Sequence, residues 1–247
     1  MKSIRATVYL AILVIVVIPY CFLVLASALL PRLPRYRIIA GWPQFATWLA
    51  KHLLGIRYEV RGIENIPPDP CVILSKHQSA WETIAFTSIF PPHVYVLKRE
   101  LLWLPFLGWG LAVMSPIAIN RANRKEAMAQ LIAQGADRLK QGFCIMIFPE
   151  GTRTAVGTRG TYRRGGAVLA LNTGARILPV AHNAGLLWPR NSYIKNPGLV
   201  TVVIGKPIDT AGREADDLMR ETEHWIETQM QILTPSTARD KSNIAPT

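Results

Sequence analysis

The sequence predicts an α/β fold: a largely parallel mixed sheet flanked by helices, preceded by an N-terminal membrane-binding helical segment. Three observations point there. Seven short stretches read as strands, at 57–60, 71–74, 94–97, 117–119, 143–148, 177–181 and 200–204. Helical periodicity fills most of the intervals, clearest at 124–140 and 213–232. Ahead of them all, residues 6–30 carry no charged side chain. Strands alternating with helices are the pattern of a sheet whose crossovers pack on its faces. An uncharged run of this length is enough to cross a bilayer core.

Taken in order, Lys2 and Arg5 precede the uncharged run, which ends at Pro31-Arg32. A secretory signal has a shorter apolar region and a small-residue cleavage site, so this is read as an anchor. Pro19 interrupts it; a kinked crossing helix and a re-entrant hairpin are both open. Arg32, Arg35 and Arg37 outnumber the charges before the run. The positive-inside rule then places the main domain in the cytoplasm, at the face of the cytoplasmic (inner) membrane. Over 38–54, Trp42, Phe45, Leu49 and Leu53 recur at helical spacing with Trp48 beside them. Such a face suits a helix lying in the membrane interface, the alternative being a helix packed on the domain's own core. The expected organisation is 1–56 for membrane-anchoring helices, 57–233 for the α/β domain and 234–247 for a mobile tail without periodicity.

Half the residues are apolar and only 18% are charged, against roughly a quarter in ordinary globular chains. The formal net charge is nevertheless +12. Basic and apolar together suit an anionic membrane, phosphorylated substrates, or both. Nucleic acid is not expected as a partner, since zinc-finger spacing, an aromatic RNA-binding signature and a basic helical stripe are all missing. The three cysteines, Cys21, Cys71 and Cys144, each sit inside an apolar run, as reduced structural thiols do. Neither a Cys-x-x-Cys nor a His-Glu-x-x-His pattern occurs, so no metal is expected.

The first candidate for chemistry is the stretch after the second strand. His77 falls in the turn that follows residues 71–74, at the carboxyl end of a strand, where open α/β sheets bind ligands. Ser79-Ala-Trp-Glu82 has the form of a capping box opening the next helix. His77 folded back over that first turn would make a base with Glu82 as its orienting acid. Two plainer roles stay open: Glu82 as a cap and His77 as a loop histidine.

The second candidate follows the central strand 143–148. Pro149-Glu-Gly-Thr-Arg-Thr154 leads into a loop with Gly157, Gly160, Gly165 and Gly166. Gly151 lets backbone approach a phosphate, Thr152 donates to it and Arg153 forks onto two oxygens. The alternative is that Arg153 pairs with Glu150 and staples the loop. The Gly-Lys-Ser/Thr ending of a Walker loop is missing.

These residues, in this order, resemble the glycerolipid acyltransferase family, in particular the 1-acylglycerol-3-phosphate acyltransferases. The resemblance spans roughly residues 58–204. It includes Val60-Arg-Gly-Ile-Glu-Asn-Ile-Pro67, Lys76-His-Gln-Ser-Ala-Trp-Glu82, Lys98-Arg-Glu-Leu101, Ile117-Ala-Ile-Asn-Arg121, Phe148-Pro-Glu-Gly-Thr-Arg153 and Ile177-Leu-Pro-Val180. One departure stands out: the family's usual aspartate after the histidine is Glu82 here. The resemblance implies transfer of a fatty acyl group from an acyl-CoA or acyl-carrier-protein thioester to the sn-2 hydroxyl of lysophosphatidic acid, giving phosphatidic acid. It implies His77 and Glu82 as the catalytic pair. Lys98, Arg121, Glu150, Gly151, Thr152 and Arg153 are implied as substrate-binding residues. Arg163 and Arg164 are candidates for the phosphates of coenzyme A, and Pro179 for shaping the site's edge. No cofactor is implied, the thioester being a co-substrate; the other partners are membrane lipids. The apolar run 101–111 is a candidate acyl channel, with ordinary core or membrane contact as the alternative. Two further functions remain open: acylation of another lyso-lipid, and a membrane protein that binds anionic lipid without catalysis.

Overall fold

All seven stretches form strands, and they join one sheet. In the computed structural model, which describes residues 1–104 and 107–234, these are β1 (Ile56–Arg61), β2 (Val72–Ser75), β3 (His93–Lys98), β4 (Ile117–Ile119), β5 (Cys144–Ile147), β6 (Ile177–His182) and β7 (Gly198–Ile204). The strand order is β1-β7-β6-β2-β5-β3-β4. The pairings are parallel except β6 with β7, so β1 and β7 run against the other five. Central β2 is buried along its whole length between β5 and β6. A parallel strand covered on both faces has no solvent side to make polar, hence its unbroken apolar sequence.

Side chains of β2 alternate between two cores. Ile73 joins Trp81 and Ala85 of α3 (Trp81–Ala85) and Ala46 and Leu49 of α2 (Arg32–Leu49) on one face. Val72 and Leu74 join Leu131, Leu169 and Leu218 on the other. These belong to α5 (Arg124–Lys140), α6 (Gly165–Thr173) and α8 (Ala215–Leu233). α7 (Ala184–Leu187) joins the first of these cores through Ala184 and Leu187, and α4 (Leu107–Val113) follows β3 in the chain. Asn123 caps α5, its side chain accepting from the N–H groups of Lys125 and Glu126, a contribution of about 1 kcal/mol. Glycine sets the spacing on this side. A Cβ at Gly166 of α6 would lie 2.5 Å from Leu74 Cδ2, and one at Gly135 of α5 would lie 2.5 Å from Leu169 Cδ1.

The N-terminal run is one continuous helix, α1 (Lys2–Ala26), with Pro19 inside it. With the turn after it, it forms a span of 28 residues whose most apolar 18-residue window has a mean hydropathy of 2.9, long and apolar enough to cross a membrane. It turns back into α2 as a hairpin, the Tyr20 hydroxyl donating to the carbonyl of Ile38. Its amino end touches the α/β domain: Lys2 Nζ donates to Asn196 Oδ1 (2.9 Å), and the hydroxyls of Thr7 and Tyr193 are 2.6 Å apart. Tyr9 and Leu13 enter the same core as Ile73. Ile15, Ile18 and Phe22 remain exposed.

The predicted 38–54 helix is the carboxyl part of α2 plus a wider turn at Ala50–Leu54. It packs on the domain's own core through Ala46, Leu49, Ala50 and Leu54, while Trp48 faces outward. Arg32 and Arg35 lie within α2 and not ahead of it; Arg32 donates to Gln141 (2.6 Å) and Arg35 to Ser115 (2.6 Å). The predicted tail from residue 235 onward lies outside the described residues.

Candidate active site

The turn between β2 and α3 holds His77 by its main chain and by its ring. Its N–H donates to Glu150 Oε2 (3.0 Å), and its carbonyl accepts from Thr154 N–H (2.8 Å) and the Thr154 hydroxyl (3.2 Å). The imidazole stacks on Phe148, with centroids 3.9 Å apart and planes 13° apart. Phe148 stacks in turn on Tyr95. Nδ1–H donates to Glu82 Oε1 at 2.9 Å, which leaves Nε2 with its lone pair, the tautomer a general base needs.

Glu82 is fully buried, and Oε1 also accepts the N–H groups of Gln78 (2.9 Å) and Ser79 (2.8 Å). Burial opposes ionisation of this carboxyl. His182, His77 and the Ser79 N–H outweigh it, so its pKa lies below the usual value. The capping box is half made. Glu82 receives the Ser79 N–H as expected, but the Ser79 hydroxyl accepts from Trp81 N–H (3.0 Å) and the helix starts at Trp81. The bonds that the two roles weighed for Glu82 would need thus meet on one oxygen.

His182, at the end of β6, is a residue the sequence reading missed. It is fully buried, with Nε2 4.0 Å from Glu82 Oε1. Burial holds its pKa down. A neutral ring fits its bonds: Nε2–H donates to the Lys76 carbonyl (2.9 Å) and Nδ1 accepts from Ala184 N–H (3.3 Å). A histidine closing an otherwise apolar strand, beside the Ile177–Val180 block, was the available signal.

The loop after β5 builds a cationic wall beside this turn. Gly151 has φ +71°, a left-handed conformation suited to glycine. Arg121, from the end of β4, donates to the Gly151 carbonyl at 3.3 Å. The Arg163 side chain lies over Gly151, 3.5 Å from where a Cβ would stand. Desolvation, and then the like charge of Arg163, lower the Arg121 pKa. Two guanidinium groups converging on one glycine favour an anion between them. Arg163, assigned from sequence to coenzyme A, therefore stands beside Arg121. Thr152 is exposed. Arg153 is half-buried, its carbonyl accepting from Arg190 at 2.7 Å; Arg190 is a second residue the sequence reading passed over.

One expectation changes. Glu150 does not present its carboxylate to substrate: it is fully buried and occupied by His77 N–H, Lys76 Nζ (2.7 Å) and Gly160 N–H (3.2 Å). That also removes Glu150 as a staple for Arg153. Lys98 ends β3 with an exposed side chain 4.0 Å from Glu100, where exposed charges interact weakly. The described residues of the run 101–111 divide between pocket and surface. Leu111 lines a small apolar pocket with Tyr36, Ile39, Val94 and Met114, whereas Trp103 and Trp109 are exposed. Residues 105 and 106 of that run lie outside the described residues.

Residues 57–183 match the family model described as "Acyltransferase". The chain is 49% identical over 213 residues to the 1-acyl-sn-glycerol-3-phosphate acyltransferase of Pseudomonas aeruginosa, covering 85% of this chain and 83% of that one. It is 31% identical over 173 residues to the 1-acyl-sn-glycerol-3-phosphate acyltransferase alpha of Mus musculus, covering 68% of this chain and 61% of the mouse protein. Its fold is that of the 1-acyl-sn-glycerophosphate acyltransferase PlsC from Thermotoga maritima, with a TM-score of 0.76 at 23% identity over 95% of this chain and 98% of the other. The chain belongs to the acyltransferase family in which the 1-acyl-sn-glycerol-3-phosphate acyltransferases stand.

Proposed function

We propose that this enzyme transfers a fatty acyl group from the thioester of coenzyme A or acyl carrier protein to the sn-2 hydroxyl of lysophosphatidic acid, giving phosphatidic acid. The observation that carries this reading is the 2.9 Å bond between His77 Nδ1 and Glu82 Oε1, in a turn walled by Arg121 and Arg163. The names of the relatives at 49% and 31% identity support the choice of acceptor.

In the reaction, His77 Nε2 takes the proton of the acceptor hydroxyl as its oxygen attacks the thioester carbonyl. A C–O bond forms and the C–S bond breaks. The thiolate leaves and takes the proton back from the imidazolium. Glu82 holds the tautomer and stabilises the transient positive ring, the part an acid plays behind a catalytic histidine. The acceptor alcohol is itself the nucleophile, so the proposal invokes no acyl-enzyme, metal or further cofactor. Arg121, Gly151, Thr152, Arg153 and Arg163 hold the acceptor phosphate. α1 and the exposed Trp48 sit in the inner membrane, with the α/β domain on its cytoplasmic side.

The test is an acyl-transfer assay of purified protein, with labelled acyl-CoA and acyl carrier protein offered against a panel of lyso-lipids. Transfer to lysophosphatidic acid and not to zwitterionic lyso-lipids is the expected result. Equal transfer to zwitterionic acceptors, or binding without transfer, would overturn it.

A further inference from the structure

Lys76 is an ammonium with no route to solvent. It precedes His77 directly and is 1% exposed. Its three N–H groups are committed to Glu150 Oε1 (2.7 Å), Glu227 Oε1 (2.8 Å) and the Thr158 carbonyl (3.2 Å). One carboxylate suffices to neutralise it, and Glu150 is that one, being wholly enclosed. Glu227 comes from the last helix, outside the residues matched by the family model. Its Oε1 also accepts the Tyr162 hydroxyl at 2.7 Å, and the Tyr162 ring lies 5.8 Å from Lys76 Nζ.

We propose that Glu227 is a positioning residue for His77, acting through Lys76 and Glu150. The path is continuous and each step is a charge-assisted bond. Tyr162 fixes Glu227; Glu227 fixes the direction of the Lys76 ammonium; Lys76 fixes Glu150 Oε1; and Glu150 Oε2 holds the His77 N–H. With the opposite side of His77 held by Thr154, the imidazole is pinned from both sides of its peptide. Without Glu227 the ammonium keeps Glu150 but loses its third anchor, and Glu150 is free to tilt with it. A misplacement of about 1 Å at a reacting group costs on the order of 10²-fold in rate. A loss confined to the chemical step lowers kcat and leaves KM alone.

This inference rests on His77 being the base, and the two fail separately. Wild-type turnover in His77→Ala would remove the base; wild-type turnover in the Glu227 variants, with His77→Ala inactive, would remove only the present inference. The experiment measures kcat, normalised to folded enzyme, and both KM values for full-length protein in detergent. Glu227→Leu is expected to lower kcat by roughly tenfold or more, with each KM within about threefold of wild type. Glu227→Gln keeps an acceptor for Tyr162 and Lys76 and is expected to restore most of the rate. Tyr162→Phe, which carries little folding risk, should lose a smaller factor of about two- to fivefold through the same path. In a double-mutant cycle, Glu150→Gln with Glu227→Leu should be barely slower than the worse single variant. Glu223→Gln is the control: it lies on the same helix and pairs with Arg159 (2.7 Å), and it should leave kcat unchanged. Wild-type kcat in both Glu227→Leu and Tyr162→Phe, or strictly additive losses in the cycle, would overturn the proposal.

Discussion

The two sides of the candidate site are built on opposite terms. On the His77 side each polar group is held: ring nitrogen by Glu82, N–H by Glu150, carbonyl by Thr154, ring face by Phe148. On the Gly151 side the cations are exposed or half-buried, and their bonds run to backbone carbonyls: Arg121 to Gly151, Arg190 to Arg153. A base must stand in one place to take a proton, because its rate contribution falls steeply with misplacement. A phosphate is recognised by charge that several forks supply from several directions, so mobility there costs little. The difference predicts that substitutions on the first side strike turnover and those on the second strike acceptor affinity.

The largest expected effect is on the held side. His77→Ala should lower kcat by about 10²- to 10⁴-fold, the usual loss of a general base. The fold should survive, because the ring sits in a turn and not inside either core. Steady-state rates with a melting curve check both halves, and turnover within a few-fold of wild type would sink the assignment.

Glu82→Gln comes next. An amide retains an acceptor for the Gln78 and Ser79 N–H groups but loses the charge that stabilises the imidazolium. Its NH₂ also falls where Glu82 Oε2 is buried without a partner. Turnover should drop at least tenfold, equivalent to about 1.4 kcal/mol, and stability by about 1–3 kcal/mol for the unpaired donor. Wild-type turnover in the folded fraction would reduce Glu82 to a cap.

On the open side, Arg153→Ala should raise the KM for lysophosphatidic acid roughly 10- to 150-fold, the worth of one charge-assisted bond to an ion. Its effect on the acyl donor should be smaller, and equal losses for both substrates would make the loop structural. Arg121→Ala should act in the same direction but more weakly, since Arg163 stands beside it.

The smallest effect concerns pH and belongs to the buried wall beyond Phe148. Burial pushes the His93 pKa down to about 4 and lowers that of His182 too. Both rings protonate at lower pH in the folded chain than in the unfolded chain, which protonates them below about pH 6.5, and His93 stays neutral until pH approaches 4. The unfolded state therefore binds more protons as pH falls, and stability drains from about pH 6.5 toward 4. At pH 5, His93 alone should cost about 2 kcal/mol relative to neutral pH. The Glu82 carboxylate, depressed by comparison, loses its contribution only at more acid pH. Urea midpoints at pH 7.5 and 5 check the point; equal midpoints would contradict it, and His93→Phe should flatten the slope.

What the sequence disclosed follows from the range of the interactions. The strands were legible because burial on both faces leaves an apolar signature in consecutive residues, as in Val72, Ile73 and Leu74. The turn bearing His77 was legible because cap and base lie within one helical turn of each other. Which strands run backwards was not: β1 and β7 differ from the other five in direction, and composition does not report direction. Glu150 was misread because its partner Lys76 lies on another strand end. Glu227 was invisible because nothing local distinguishes it from the other acids of an amphipathic helix. That Arg163 would stand beside Arg121 was not legible, because the approach of two loops at Gly151 is a tertiary fact.

The missing side chain at Gly166 has a consequence for variation in this enzyme. It lets α6 rest on Leu74, which precedes Ser75, Lys76 and His77 in the chain. A single methyl there would act as a shim between helix and strand, and the strand it displaces leads into His77. Position 166 therefore behaves as an adjustment point: it alters alignment without removing any group that does chemistry. A screen for slowed enzymes that still fold and still bind should return this glycine beside the charged residues, and a survey of polar side chains alone would overlook it.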